Sequence, residues 1–102
     1  MTVDATEGPI PTHYRRAATL LEAELGGEIV GLDADSGYCF GFNEAAASVW
    51  RALEQPQTFA QLRDALLAEY DVESDRCESD LRELLDKMGE AGLVASSSKA
   101  PA

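Results

Sequence analysis

The spacing of apolar residues changes period at Asn43, and that change divides the chain into a strand half and a helix half. Upstream the period is two. In Thr19–Leu25, Leu21, Ala23 and Leu25 alternate with Glu22 and Glu24. This predicts a half-buried strand, although Leu, Glu and Ala are weak strand formers and a helical turn competes. Gly26-Gly27 then supplies a two-residue hairpin turn that needs positive φ. Glu28–Asp33 is β-rich through Ile29, Val30 and Leu32. The string DADSG at 33–37 predicts a second turn, with glycine at the left-handed position. Tyr38–Phe42 is an aromatic third strand. Alternation sets Tyr38, Phe40 and Phe42 on one face and Cys39 and Gly41 on the other. Two short turns joining three strands make an antiparallel meander.

Downstream of Asn43 the period is 3.6. Asn43 is a good N-cap, and Ala46, Val49, Trp50 and Leu53 recur on one helical face. Gln55-Pro56 stops this helix. Thr58, with Gln61 three residues on, is a capping box for a second helix. Its apolar face is Phe59, Leu62, Leu66 and Tyr70, with Ala65 beside it. Ser74 is the expected cap of a third helix, with Asp75 and Glu78 favourable in its first turn. Cys77, Leu81, Leu84, Leu85 and Met88 form its stripe. Gly92-Leu93 reads as a left-handed C-cap with its apolar contact. Strands followed by helices specify an α+β fold, a three-stranded antiparallel meander and then three helices. That order resembles a winged helix-turn-helix with its hairpin placed first. No period is visible in residues 1–12, which hold Gly8, Pro9 and Pro11, or in ASSSKAPA at 95–102. Both are expected to be flexible, which leaves one domain over 13–94.

Charge narrows the function. The 102 residues carry 8 Lys+Arg against 19 Asp+Glu, a formal charge of −11. Nucleic-acid binding requires the opposite sign, because affinity comes largely from neutralising phosphates. An anionic membrane surface repels such a chain for the same reason. No apolar run reaches the roughly 20 residues of a bilayer span, and the N-terminus lacks the basic and apolar regions of a signal peptide. A cytoplasmic location is expected. There, Cys39 and Cys77 read as thiols, small buried hydrophobes rather than a disulfide. No metal site is expected from two Cys and the single His13. No cofactor is expected either, because no phosphate loop or dinucleotide fingerprint is present. Ser36 lies in DSGY and not in a hydrolase elbow. The carboxylates of the third helix (Asp75, Glu78, Asp80, Glu83, Asp86) read as a solvated face. A small meander leaves sheet edges open, and an open edge beside a helix accepts a further strand from a peptide. The same edge permits a homodimer.

Two blocks, Gly26–Leu53 (GGEIVGLDADSGYCFGFNEAAASVWRAL) and Thr58–Val94 (TFAQLRDALLAEYDVESDRCESDLRELLDKMGEAGLV), resemble the PqqD-like family. The turn into the first helix at Leu32–Ala46, Trp50, the AEYDV link at Ala68–Val72 and the ending GLV at Gly92–Val94 carry the likeness. The resemblance implies a non-catalytic recognition element for ribosomally synthesised, post-translationally modified peptides. Such a domain binds the leader segment of a precursor peptide by strand addition. It then delivers the peptide to a maturation enzyme, such as a radical enzyme or a leader peptidase and cyclase of the lasso type. The resemblance also places the leader against Tyr38, Cys39, Phe40, Gly41 and Phe42, with Cys77, Asp80, Leu81, Leu84, Lys87 and Met88 as the helix wall. Two other readings stay open on the residues alone. One is an acidic winged-helix regulator or interaction module outside peptide biosynthesis. The other is an enzyme using Cys39 or Cys77, with only His13 available as a base.

Overall fold

The expected meander is present in the computed structural model, which describes residues 12–97. After a first strand β1 (His13–Arg16), β2 (Leu21–Leu25), β3 (Glu28–Leu32) and β4 (Cys39–Phe42) follow one another. They form an antiparallel sheet in that order. Leu25 pairs with Glu28 across the Gly26-Gly27 turn, where Gly26 has φ +66°. The Asp33 carboxylate accepts N–H bonds from Asp35 (3.0 Å) and Ser36 (3.4 Å). This Asx turn and Gly37 at φ +82° close the second loop.

Three helices come next: α1 (Glu44–Ala52), α2 (Phe59–Glu69), after the two-residue strand β5 (Gln57–Thr58), and α3 (Ser74–Glu90). Local chemistry sets their ends. Asn43 Oδ1 accepts from Ala46 N–H at 2.9 Å. Thr58 and Gln61 make both bonds of the capping box, at 3.1 and 2.8 Å. At the end of α3 Gly92 takes φ +78°. Leu93 N–H donates to Met88 O, and Gly92 N–H to Gly89 O. That is the Schellman pattern, with Leu93 buried as its apolar contact. Two expectations are corrected. Glu73, not Ser74, occupies the N-cap of α3, without a side-chain cap bond, and Ser74 is the first helical residue. Helix α1 ends at Ala52, before Gln55-Pro56 is reached.

A second sheet, absent from the sequence reading, lies in the order β5-β1-β6, where β6 is Val94–Ser97. His13 pairs with both Thr58 and Ser97, so this sheet joins the two ends of the described chain. Residues 95–97, expected in a flexible tail, instead belong to a strand, held by backbone pairing across 80 to 84 residues of sequence. Residues 1–11 and 98–102, where flexibility was expected, lie outside the described residues.

The core joins both sheets to the helices. Ile29, Phe42, Val49, Trp50, Leu53, Leu62, Leu81, Leu85 and Met88 are buried in one cluster. A Cβ on Gly31 would lie 2.6 Å from Leu20 Cδ1, so any larger residue there would force Leu20 to shift from its seat on β3. Trp50 is fully buried and stacks on Phe42 at a ring separation of 5.4 Å. Its indole N–H donates to Glu22 Oε2 at 2.7 Å. The Arg16 guanidinium lies 4.2 Å above the ring and donates to Trp50 O at 2.6 Å. One side chain thus ties β1, β2, β4 and α1 together. Among the described residues no helix is long and apolar enough to cross a membrane.

A sheet edge and groove as the candidate peptide-binding site

Strand β4 is an edge of its sheet, and the ladder decides which of its backbone groups are free. Asp33 N–H donates to Tyr38 O at 2.9 Å. Hydrogen-bonded pairs alternate along an antiparallel ladder. The register then makes Phe40–Gly31 and Phe42–Ile29 bonded pairs. Cys39 and Gly41 fall between them. Their N–H and C=O groups point away from β3, towards the open side.

The open side is a groove. A cavity of about 460 Å³ is lined by Cys39, Phe40, Gly41, Phe42 and Asn43 from the sheet side. Ala46, Leu84, Lys87, Met88 and Leu93 complete it. Met88 is buried, Leu84 half-buried and Lys87 exposed. The floor is therefore apolar, with one cation at the rim and no carboxylate in the lining. Lys87 Nζ lies 3.7 Å from Glu83, an exposed pair that leaves the ammonium accessible to an approaching anion. A chain laid against β4 would find backbone partners at Cys39 and Gly41 and apolar pockets against α3.

Some expected site residues lie elsewhere. Tyr38 precedes β4 and is 69% exposed, its ring 6.4 Å from that of Phe40. Leu81 is core. Cys77 and Asp80 line a separate apolar hollow of about 200 Å³ with Ala45, Leu66, Tyr70 and Val72. The sequence pattern assigns Asn43 to a cap, Ala46 to a helix face and Leu93 to a C-cap contact. Each does that work and also lines the groove.

The two thiols differ. Cys39 is exposed and Cys77 buried. Burial pushes the Cys77 thiol up from its usual range, Asp80 and Glu78 push the same way, and Arg63 opposes them. A thiol held protonated is a poor nucleophile. Aromatic disulfide reagent at neutral pH is expected to titrate Cys39 within minutes and Cys77 only after denaturant is added; rapid modification of both in the folded state would contradict this assignment. Arg63, the only cation of α2, is engaged by Glu78 at 3.0 Å and Asp64 at 3.1 Å. That leaves α2 without a free basic group to read nucleic acid.

The outer face of the meander reverses an expectation. The reading of β2 as half-buried put Leu21, Ala23 and Leu25 on the core side. Instead Leu21 and Leu25 are each 66% exposed. Glu22 and Glu24 take the inner side, where they bond Trp50 and Arg51. The pairing aligns Leu21 with Leu32 and Ala23 with Val30. Leu32 in turn pairs with Cys39. The result is an exposed apolar sheet face that ends at the β4 edge.

Two solved structures share this architecture. The chain superposes on TbiB1, solved in complex with the TbiA(beta) leader peptide, with a TM-score of 0.70 and 26% identity. That match covers 85% of this chain and 99% of the other. A lasso peptide synthetase B1, solved with its leader peptide, matches with a TM-score of 0.65 and 29% identity. It covers 80% of this chain and 96% of the other. No curated protein sequence matches the chain. The profile of coenzyme PQQ synthesis protein D matches residues 28–94, from the first residue of β3 to the first of β6. The chain belongs to the PqqD family.

Proposed function

We propose that this protein binds the leader segment of a ribosomally synthesised precursor peptide and delivers it, without catalysing the modification itself, to the enzyme that modifies it. The observation that carries the reading is the free edge of β4 above an apolar groove, in a fold shared with two proteins solved with leader peptides bound. The leader adds as a strand at Cys39 and Gly41 and seats apolar side chains on Phe40, Leu84 and Met88. Ordering a disordered peptide on so short a strand sets the affinity at about micromolar to tens of nanomolar. Titration of a lasso-type leader peptide into isotope-labelled protein is expected to shift the amides of Cys39–Phe42 and of residues 84–88. Shifts confined to α2 would overturn the placement.

Delivery requires a second surface. The apolar face of Leu21, Leu25, Val30 and Leu32 lies on the same sheet as the leader edge and points away from the groove. Such a face is unusual on a monomer and suits a protein partner. The modifying enzyme (a radical enzyme, or a leader peptidase and cyclase) is the partner this reading assigns to it. The double variant Leu21→Glu, Leu25→Glu replaces two exposed side chains, so folding and leader affinity are expected to stay within a few-fold. Capture by the enzyme, and product formation in the mixture, are expected to fall at least about tenfold. Unchanged product formation would remove this face from the delivery step.

A further inference from the structure

We infer that a second groove, between β6 and the far side of α3, is a strand-addition site for an extended segment of a partner protein that bears Lys or Arg at alternate positions. The inference does not depend on where the leader binds.

Strand β6 is an edge of the other sheet. Ala17 N–H donates to Leu93 O at 2.8 Å. Continuing that register makes Arg15–Ala95 a bonded pair. Val94 and Ser96 therefore direct their backbone groups away from β1, to the open side. There the cavity, about 450 Å³, is walled by Tyr14, Leu85, Asp86, Gly89 and Glu90. Helix α3 runs close to the strand at Gly89, where a Cβ would lie 3.9 Å from Val94 O, an ordinary contact.

Charge identifies the occupant. Helix α3 separates two grooves with opposite rims. The β4 groove has Lys87 and no carboxylate in its lining. The β6 groove has Asp86 and Glu90 and no Lys or Arg. Neither carboxylate belongs to any ion pair found among the described residues. Asp86 and Glu90 are one helical turn apart, about 6 Å along the axis. Alternate residues of an extended strand repeat at about 6.6 Å. Two cations two residues apart on a guest strand therefore meet both carboxylates while its backbone pairs with Val94 and Ser96. A second copy of this chain fits poorly, because each copy carries a charge of −11. Residues 1–11 hold Asp4 and Glu7 and no Lys or Arg, so they have the wrong sign as well.

The test uses the full chain, isotope-labelled, with the peptides Ac-Lys-Val-Lys-Val-Lys-NH2 and Ac-Glu-Val-Glu-Val-Glu-NH2 as probes. The cationic peptide is expected to shift the amides of Val94–Ser96 and of residues 86–90 and to leave Cys39–Phe42 unmoved. The anionic peptide is expected not to shift β6. Asp86→Asn with Glu90→Gln, both exposed positions, is expected to weaken the cationic peptide about three- to tenfold. Added salt is expected to weaken it as well. Equal binding of both peptides, no shift at β6, or β6 shifts that depend on protein concentration without peptide would each overturn the proposal, the last by giving the edge to a second copy.

Discussion

Trp50→Ala is expected to lower unfolding stability by about 3–5 kcal/mol, the range for deleting a large aromatic from a packed core. The structure places this variant at the upper end. The indole fills space against Phe42, and its loss leaves a cavity beside the sheet that carries the candidate site. It also removes the donor that holds Glu22 on the inner side of β2. The ring that supports the Arg16 guanidinium goes too. Domains have about 5–15 kcal/mol in total, and a domain this small lies low in that range. A substantial unfolded fraction at 37 °C is the expected result, read by circular dichroism through a urea titration. Trp50→Phe separates the contributions. It keeps a ring against Phe42 and drops the bond to Glu22, whose carboxylate still has Arg16 at 3.7 Å and solvent, at a cost of about 1 kcal/mol. A Trp50→Ala protein as stable as the parent, but deficient in peptide binding, would move Trp50 from the core to the site.

The parts of the fold legible in the sequence are those set by chemistry within four residues. Asn43, the Thr58–Gln61 box and Gly92-Leu93 each specify a helix end by themselves, and each forms as read. The sheet of β5, β1 and β6 was not legible. Its strands are QT, HYRR and VASS, too short and too irregular for a period to show. Their pairing also spans nearly the whole described chain. Strand β2 shows a different limit. Period two separates Leu21 and Leu25 from Glu22 and Glu24 but does not say which set faces inward. The choice is made by Trp50 and Arg51, which supply partners for the two carboxylates. The site was legible to the same depth. The aromatic strand and the presence of open sheet edges could be read, and the resemblance chose the β4 edge, whereas the helix wall from Cys77 to Met88 shares one face but is too long to line one groove. From Cys77 to Met88 the helix rises about 16 Å along its axis. Leu84, Lys87 and Met88 therefore share the groove, while Leu81 enters the core and Cys77 lines another hollow.

Gly41→Pro is expected to fold like the parent and to bind leader peptide about tenfold to a hundredfold more weakly. Both halves follow from the ladder. Gly41 pairs with Val30 at a position where the two strands exchange no backbone bonds. Its N–H points to the open edge, so proline there takes nothing from the sheet. A Cβ on Gly41 meets nothing within 4 Å, and Phe40 before it is already extended, as a residue preceding proline must be. Proline is tolerated on edge strands under these conditions. A guest strand, however, loses a donor at the centre of its pairing and meets a ring where a backbone should approach. The unpaired acceptor on the guest costs about 1–3 kcal/mol, which is the stated loss of affinity. Two companions fix the interpretation. Gly41→Ala keeps the N–H and adds only a methyl group in open space, so binding is expected within about twofold. Phe40→Pro removes a donor that bonds Gly31, and is expected to destabilise the sheet itself. Circular dichroism reports folding and calorimetric titration reports affinity for all three. Normal affinity in a folded Gly41→Pro protein would mean that the leader pairs with some other edge, and the groove beside β4 would lose its assignment.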